Sequence, residues 1–268
     1  DANTLVSEGR VFLTARNLTN ANARFAAAVA SSPNHETANA LYAVTRLLRL
    51  PNQAPIDNFL TRLGVSRTNR NVYHWATTAP ADTNGVPLAP AGVSAGEVLT
   101  LLRTNVLPQI TAAEANLARI TNPNFLLALS ADETTLAEVT VDYGDVLMLR
   151  ALLRAAECLA YTISAQNLDV QLAAIRALYE SEELSIERVL SEHPQLLTFA
   201  TTNDLEAASL AFQNGVDRYQ EASAFIRNRP EGLRRLFNWD VEEAESESKF
   251  RQTLVDLKNS IQGPVVLT

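Results

Sequence analysis

The 268-residue sequence holds one cysteine, two lysines, three histidines and nine glycines, and each scarcity removes a class of chemistry. Cys158 has no second thiol to meet, so no intrachain disulfide forms. Its place in the apolar run ECLAYTI reads as a small buried side chain rather than a reactive thiol. Lys249 and Lys258 are the only side-chain amines, which leaves guanidinium groups to carry nearly all the positive charge. Those groups suit fixed ion pairs, and a Schiff-base lysine is not expected. The glycines are scattered between positions 9 and 263, with no cluster able to wrap backbone amides around a phosphate. No run of eighteen uncharged apolar residues occurs. The closest stretch, 146 to 163, carries Arg150, Arg154 and Glu157 and reads as a core helix, not a membrane span.

Recognised catalytic signatures are missing as well. None of His35, His74 and His193 sits in a motif, and HExxH, GxSxG and SxxK do not occur, which lowers the prior for zinc peptidases, α/β hydrolases and serine transferases. No cofactor is expected. What is present is a composition 47% hydrophobic and 19% charged, that of a folded chain rather than a disordered one. Basic residues number 22 against 30 acidic ones, a net charge of -8 that repels a phosphate backbone, so nucleic acid is not an expected partner. The chain opens on Asp1 rather than Met, which reads as either a mature processed product or an artificially trimmed chain, and a secreted or periplasmic setting is expected.

Residues 4 to 15 and 18 to 31 read as two helices joined around Asn17. Gly9 and Ala21 let them approach closely, Phe12 and Phe25 fill the gap, and Pro33 stops the second. Leu5, Gly9, Phe12, Ala21, Phe25, Ala28 and Pro33 fall at a spacing that resembles the tetratricopeptide repeat, and Ala38, Tyr42 and Ala43 look like the opening of a second unit. Glu8 stands where that family usually has Leu and Asn39 where it prefers Trp. The period ends at PNQAP, so the resemblance covers about residues 4 to 50. It implies a concave surface made largely by the first helix of each pair, on which Glu8 and Asn39 would stand as ligand-binding positions.

Farther along, Pro55 and Gly64 bracket a short helix, which completes a helical group over 4–64. Residues 65–93 carry three prolines and two glycines with little periodicity, an irregular loop. Ser94 and Glu97 form a capping box for a helix running to about Ile120 that Pro108 should kink. FLLAL at 125–129 and TLAEVTV at 135–141 predict a β-hairpin. Asp145 is the expected cap of a helix from Val146 to about Ala165, apolar over most of its circumference and therefore central. Further helices are expected over 169–181, 185–193, 203–228 and 240–262, the last two opened by Asn203 with Glu206 and Asp240 with Glu243, before an apolar tail at 263–268. The fold class is mainly all-α: one domain over 1–268, with repeat-like helix pairs followed by a larger bundle over 94–262 and a small hairpin near 125–141.

Candidate site residues follow from clustering. Tyr73, His74 and Trp75 stand together in the irregular loop, where amphipathic aromatics form either a platform for a sugar ring or peptide or a plug against the helices. Asp142 and Asp145 near a helix start suit either a hard cation or the helix dipole. Asp82 to Gly85 is a calcium-loop fragment without its distal Glu and reads as a turn. Arg150, Arg154 and Glu157 share one stripe of an apolar helix, so they form an internal ion pair or the floor of a ligand site. The sequence favours a non-catalytic binding or scaffold protein that recognises a peptide, protein surface or glycan through a helical groove. Two alternatives stand beside it: an extracytoplasmic hydrolase or metal-dependent enzyme using the 66–93 loop with Asp142 and Asp145, and a structural module of a larger secreted or envelope assembly.

Overall fold

The computed structural model describes residues 1–70, 72, 80–135, 137–181, 184–230, 234–239 and 243–261. Among the described residues the chain is mainly helical with one two-stranded antiparallel sheet, the class its periodicity predicts. In order, the elements are α1 (Ala2–Thr14), α2 (Leu18–Ser31), α3 (Glu36–Leu48), α4 (Ala54–Arg62), α5 (Gly96–Leu101), α6 (Leu107–Leu117), β1 (Leu126–Leu129), α7 (Ala131–Thr134), β2 (Val139–Asp142), α8 (Tyr143–Ser164), α9 (Leu172–Glu180), α10 (Ile186–Glu192), α11 (Thr202–Asn228) and α12 (Ala244–Ser260). These gather into two compact units that interleave along the sequence. The first takes 1–47, 110–159 and the chain from Ala207 onward, the second 48–109 and 160–206.

In the first unit α1 and α2 form the expected antiparallel pair. Asp1 caps α1 through the Thr4 amide, Asn17 caps α2 through the Asn20 amide, and Arg24 pairs back to Glu8. Ala21, Phe25 and Ala28 are fully buried along the contact. The ring of Phe25 lies so close to Gly9 that a methyl group there would overlap it, so glycine is required by space rather than by backbone angle. The third helix joins the pair through buried polar contacts: Asn22 donates to the Thr45 hydroxyl, which itself donates to the Leu41 carbonyl one turn back.

The hairpin forms with β1 at 126–129 and β2 at 139–142, shorter than the predicted strands and joined by the one-turn helix α7 instead of a simple turn. SADETT encodes that helix. Ser130 and Glu133 make a complete capping box, and Thr135 ends the turn in the left-handed region at φ 66°. The register pairs Leu126 with Asp142 and Leu129 with Val139. The expected cap of α8 at Asp145 lies instead at Asp142. The Asp145 amide donates to Asp142 Oδ1 and the Asp142 amide returns a bond to Asp145 Oδ2, each at 3.0 Å, so the helix starts three residues early with Asp145 in its first turn. Leu147 and Met148 then pack on Ala222 and Ile226 of α11, with Phe225, Phe237 and Trp239 around them.

In the second unit Arg70 is almost completely buried. It donates to the Asp57 carboxylate and carbonyl, the Thr61 hydroxyl and the Val65 carbonyl, which fastens the chain after α4 to that helix. The helix expected to run unbroken from Ser94 to a kink at Pro108 is relieved earlier, by a π-turn at Leu102–Val106 that frees the carbonyls a proline ring would strike. Only half of the Ser94 capping box is made, by the Ser94 amide to Glu97, whose carboxylate is shared with Arg62. Ahead of α11, Thr201 rather than Asn203 supplies the accepting oxygen. Asp82 makes the turn expected of it, accepting from the amides of Asn84 and Val86 and pairing with Arg176. Asp240 and the tail at 263–268 lie outside the described residues.

Replacing Gly9 with Ala forces a methyl group against the Phe25 ring, and overpacking of this kind costs about 1–3 kcal/mol. Urea unfolding should show the midpoint falling accordingly, with Gly9→Ala/Phe25→Leu recovering part of the loss.

Candidate functional site

An open cleft of about 780 Å³ is lined by residues 34–37 at the start of α3, Ala118 and Arg119 just past α6, and Thr121, Asn122 and Asn124 to Leu126. Two local devices build it. His35 precedes α3 and accepts the Ala38 amide on Nδ1 at 3.2 Å, which places the ring proton on Nε2, where it is given to Asn3 Oδ1 at 2.8 Å. The imidazole thus serves as a helix cap. Across the cleft, Asn122 folds an Asx turn, accepting the Asn124 amide on its side chain and the Phe125 amide on its carbonyl. Burial of Ile120, Phe125 and Leu127 anchors this loop on both sides of the turn.

Long-range bonds join the two walls. Glu36 Oε1 accepts the amides of Thr121 and Asn122 at 3.0 and 2.9 Å, and Arg119 donates to Asn34 Oδ1 at 3.2 Å. Besides the Glu36 carboxylate and the apolar Ala118, Phe125 and Leu126, the lining is amide, hydroxyl, imidazole and guanidinium, a set that gives and accepts hydrogen bonds and contains no activated nucleophile. Proline and asparagine crowd both segments, PNHET and TNPNF, which marks them as turns in the sequence. Nothing in the sequence says that they meet.

The predicted site residues distribute differently. Glu8 is exposed on α1 and paired with Arg24. Asn39 is fully buried: it donates to the carbonyls of Pro33 and His35 and accepts from Asn116, which leaves none of its polar atoms for a ligand. Tyr73, His74 and Trp75 lie outside the described residues. Asp142 and Asp145 do face one place, but Arg229 stands where a cation would. Its Nη1 lies 2.7 Å from Asp142 Oδ1 and 3.3 Å from Asp145 Oδ1, while Nη2 reaches the Phe237 carbonyl. Arg235 approaches the other Asp142 oxygen, and the Phe237 amide bonds Asp145. Among the described residues no group of three or more potential metal ligands occurs.

The stripe on α8 is an internal ion-pair network. Arg150 donates twice to Glu114 Oε1, at 3.1 and 3.0 Å, and Arg154 bridges Glu114 Oε2 and Glu157 Oε2 at 2.9 and 2.7 Å. Thr111 donates to the remaining Glu157 oxygen at 2.7 Å. Every carboxylate oxygen of both glutamates is engaged, so no ligand floor is left there.

No known protein-family model, no curated protein and no solved structure matches this chain.

Removing one member of a buried pair strands the other, at a cost of about 3–5 kcal/mol. Glu114→Leu should therefore lower the urea midpoint by that amount. Adding Arg150→Met should restore much of it, because Arg154 keeps Glu157. A single variant as stable as the parent would refute the buried network.

Two carboxyl groups respond to pH with opposite signs. Burial pushes Asp145 above its ordinary value, outweighing the amides of Asp142 and Phe237 that favour the ionised form. The native state then holds that proton more tightly than the unfolded chain does, so the stability contribution of Asp145 declines as pH rises through its elevated pKa. For Glu133 burial acts upward too, but the bond from Arg10 and the Ser130 amide together bring it below the usual range. Its contribution is present at neutral pH and lost as pH falls through the folded-state value. As pH falls from about 8 toward 4, wild type should gain stability relative to Asp145→Asn, and as it falls further, below about pH 4, wild type should lose stability relative to Glu133→Gln, both measured as the difference in unfolding midpoint.

Proposed function

We propose that this chain is a non-catalytic binding protein that holds an extended segment of a partner protein in the polar cleft between residues 34–37 and 118–126. One observation carries the reading. The cleft has the volume of a ligand site and is lined by amide, hydroxyl and imidazole groups with one guanidinium and the Glu36 carboxylate, whose Oε1 already accepts two loop amides, while the buried charges of the same unit are spent on one another. The repeat-like spacing of α1 and α2 supports it, because helix pairs of that kind present peptide-holding surfaces. A secreted or periplasmic setting is part of the same proposal. A hydrolytic site at Asp142 and Asp145 would need carboxylates open to substrate, and both are buried against Arg229.

Arg119 is exposed and donates to Asn34 across the cleft, so Arg119→Ala should leave the melting temperature within a few degrees of the parent. On arrays of immobilised 12-residue peptides and of glycans, the parent should retain peptides and the variant should lose about tenfold in affinity for them. Retention of glycans alone would replace the peptide with a sugar in the same cleft. Equal peptide binding by parent and variant would remove the cleft from the reading.

A further inference from the structure

Beyond the side chains of the cleft, one strip of backbone is left open, and we infer that the extended partner adds to β1 as a third strand. The inference rests on the peptide reading above and names how the peptide is held.

Three hydrogen bonds that leave the ladder fix which backbone groups point away from the hairpin. The Thr140 amide donates to the Arg234 carbonyl at 2.9 Å, the Asp142 amide to Asp145 Oδ2 at 3.0 Å, and Arg10 to the Ala128 carbonyl at 2.8 Å. In the observed register Ala128 faces Thr140 and Leu126 faces Asp142, so these two are the non-hydrogen-bonded pairs. Leu127 with Val141 and Leu129 with Val139 hold the sheet together. The outward amides of β2 are thus taken up by the Arg234 carbonyl and by Asp145. On β1 only the Ala128 carbonyl is covered. The amide and carbonyl of Leu126 and the amide of Ala128 have no partner among the described residues.

An open edge is normally guarded by lysine, proline, a bulge or an inward charge, because a row of unpaired donors and acceptors recruits other strands. FLLAL has none of these. Arg10, clamped by Glu133 at 2.6 and 2.8 Å, closes the far end at Ala128, and Leu126 at the near end lines the cleft. Edge and cleft are therefore continuous and stop at a fixed point. Leu126 is 57% exposed and Ala128 is exposed beside it on the same face, while Leu127 is buried beneath. The occupant that fits is an extended, uncharged stretch with β-branched residues at alternate positions. Its backbone satisfies the three open groups and one of its apolar side chains covers Leu126.

Leu126→Pro tests this with little cost to the fold, because the deleted amide is not used by the ladder and proline is tolerated at the first residue of a strand. The probe is acetyl-Lys-Val-Thr-Val-Thr-Lys-amide, with two N-methylated versions that block alternate backbone edges. The full chain should bind the unmethylated peptide with a Kd of about 1 mM or below. Binding should slow hydrogen exchange at the Leu126 and Ala128 amides, tolerate methylation of one edge, and be lost with methylation of the other. Leu126→Pro should weaken it about tenfold with an unchanged melting temperature. If that variant fails to fold, the paired methylated peptides decide alone. No binding of the probe, or equal binding of both methylated peptides, overturns strand addition. If array peptides still bind and Arg119→Ala still weakens them, the cleft reading survives and the edge alone falls. If Arg119→Ala has no effect while the edge tests succeed, the cleft lining falls and the strand stays.

Discussion

A guanidinium group enters a helical interior only where a carboxylate meets it, and in this protein that requirement decides how the first unit is put together. Glu114 on α6 receives Arg150 and Arg154 from α8, and Asp142 with Asp145 at the start of α8 receive Arg229 from just beyond α11. Apolar packing alone permits helices to slide and rotate with small loss. These bidentate and bridging contacts do not, because a shift of one turn leaves a charge in the core without its partner. Leu147, Met148, Ala222 and Ile226 fill the space that the pairs define.

The same demand explains why the binding reading rests on hydrogen-bonding groups rather than on a patch of one charge. With the glutamates and aspartates of the core saturated, the chemistry left at an open place in this unit is that of backbone and amide. Even Glu36, the one carboxylate in the cleft, spends one oxygen on two loop amides. His35 is used to finish a helix. A surface of this kind holds a partner by hydrogen bonds whose worth depends on geometry, which favours an extended chain over a compact charged ligand.

Much of the fold is legible in the sequence because its signals are local. Gly9, Phe25 and Pro33 announce a helix pair, β-branched alternation announces the hairpin, and an apolar helix interrupted by Arg150, Arg154 and Glu157 announces buried pairing. Where local signals mislead, a neighbour in space has intervened. Asp145 looks like a cap, yet Asp142 takes that place because a reciprocal pair of amide bonds is available and Arg229 offsets two adjacent carboxylates. Asn39 sits at a position that faces the groove by repeat spacing, but bonds to Pro33, His35 and Asn116 draw it into the interior. The cleft itself is the least legible part, since Glu36 and Thr121 are joined only by tertiary contact. The open edge of β1 depends on register parity, which no residue type encodes.

The two units share one chain in alternation, and this has a bearing on how the protein is made. When Asp142 and Asp145 leave the ribosome, Arg229 has yet to be joined, and Glu247, which receives Ser223 and Arg227, comes later still. No prefix of the chain contains a finished first unit, whereas the second is complete in sequence by residue 206. The unit that holds residues 1–47 is therefore the later of the two to have all its parts synthesised, although it contributes the earlier-numbered residues.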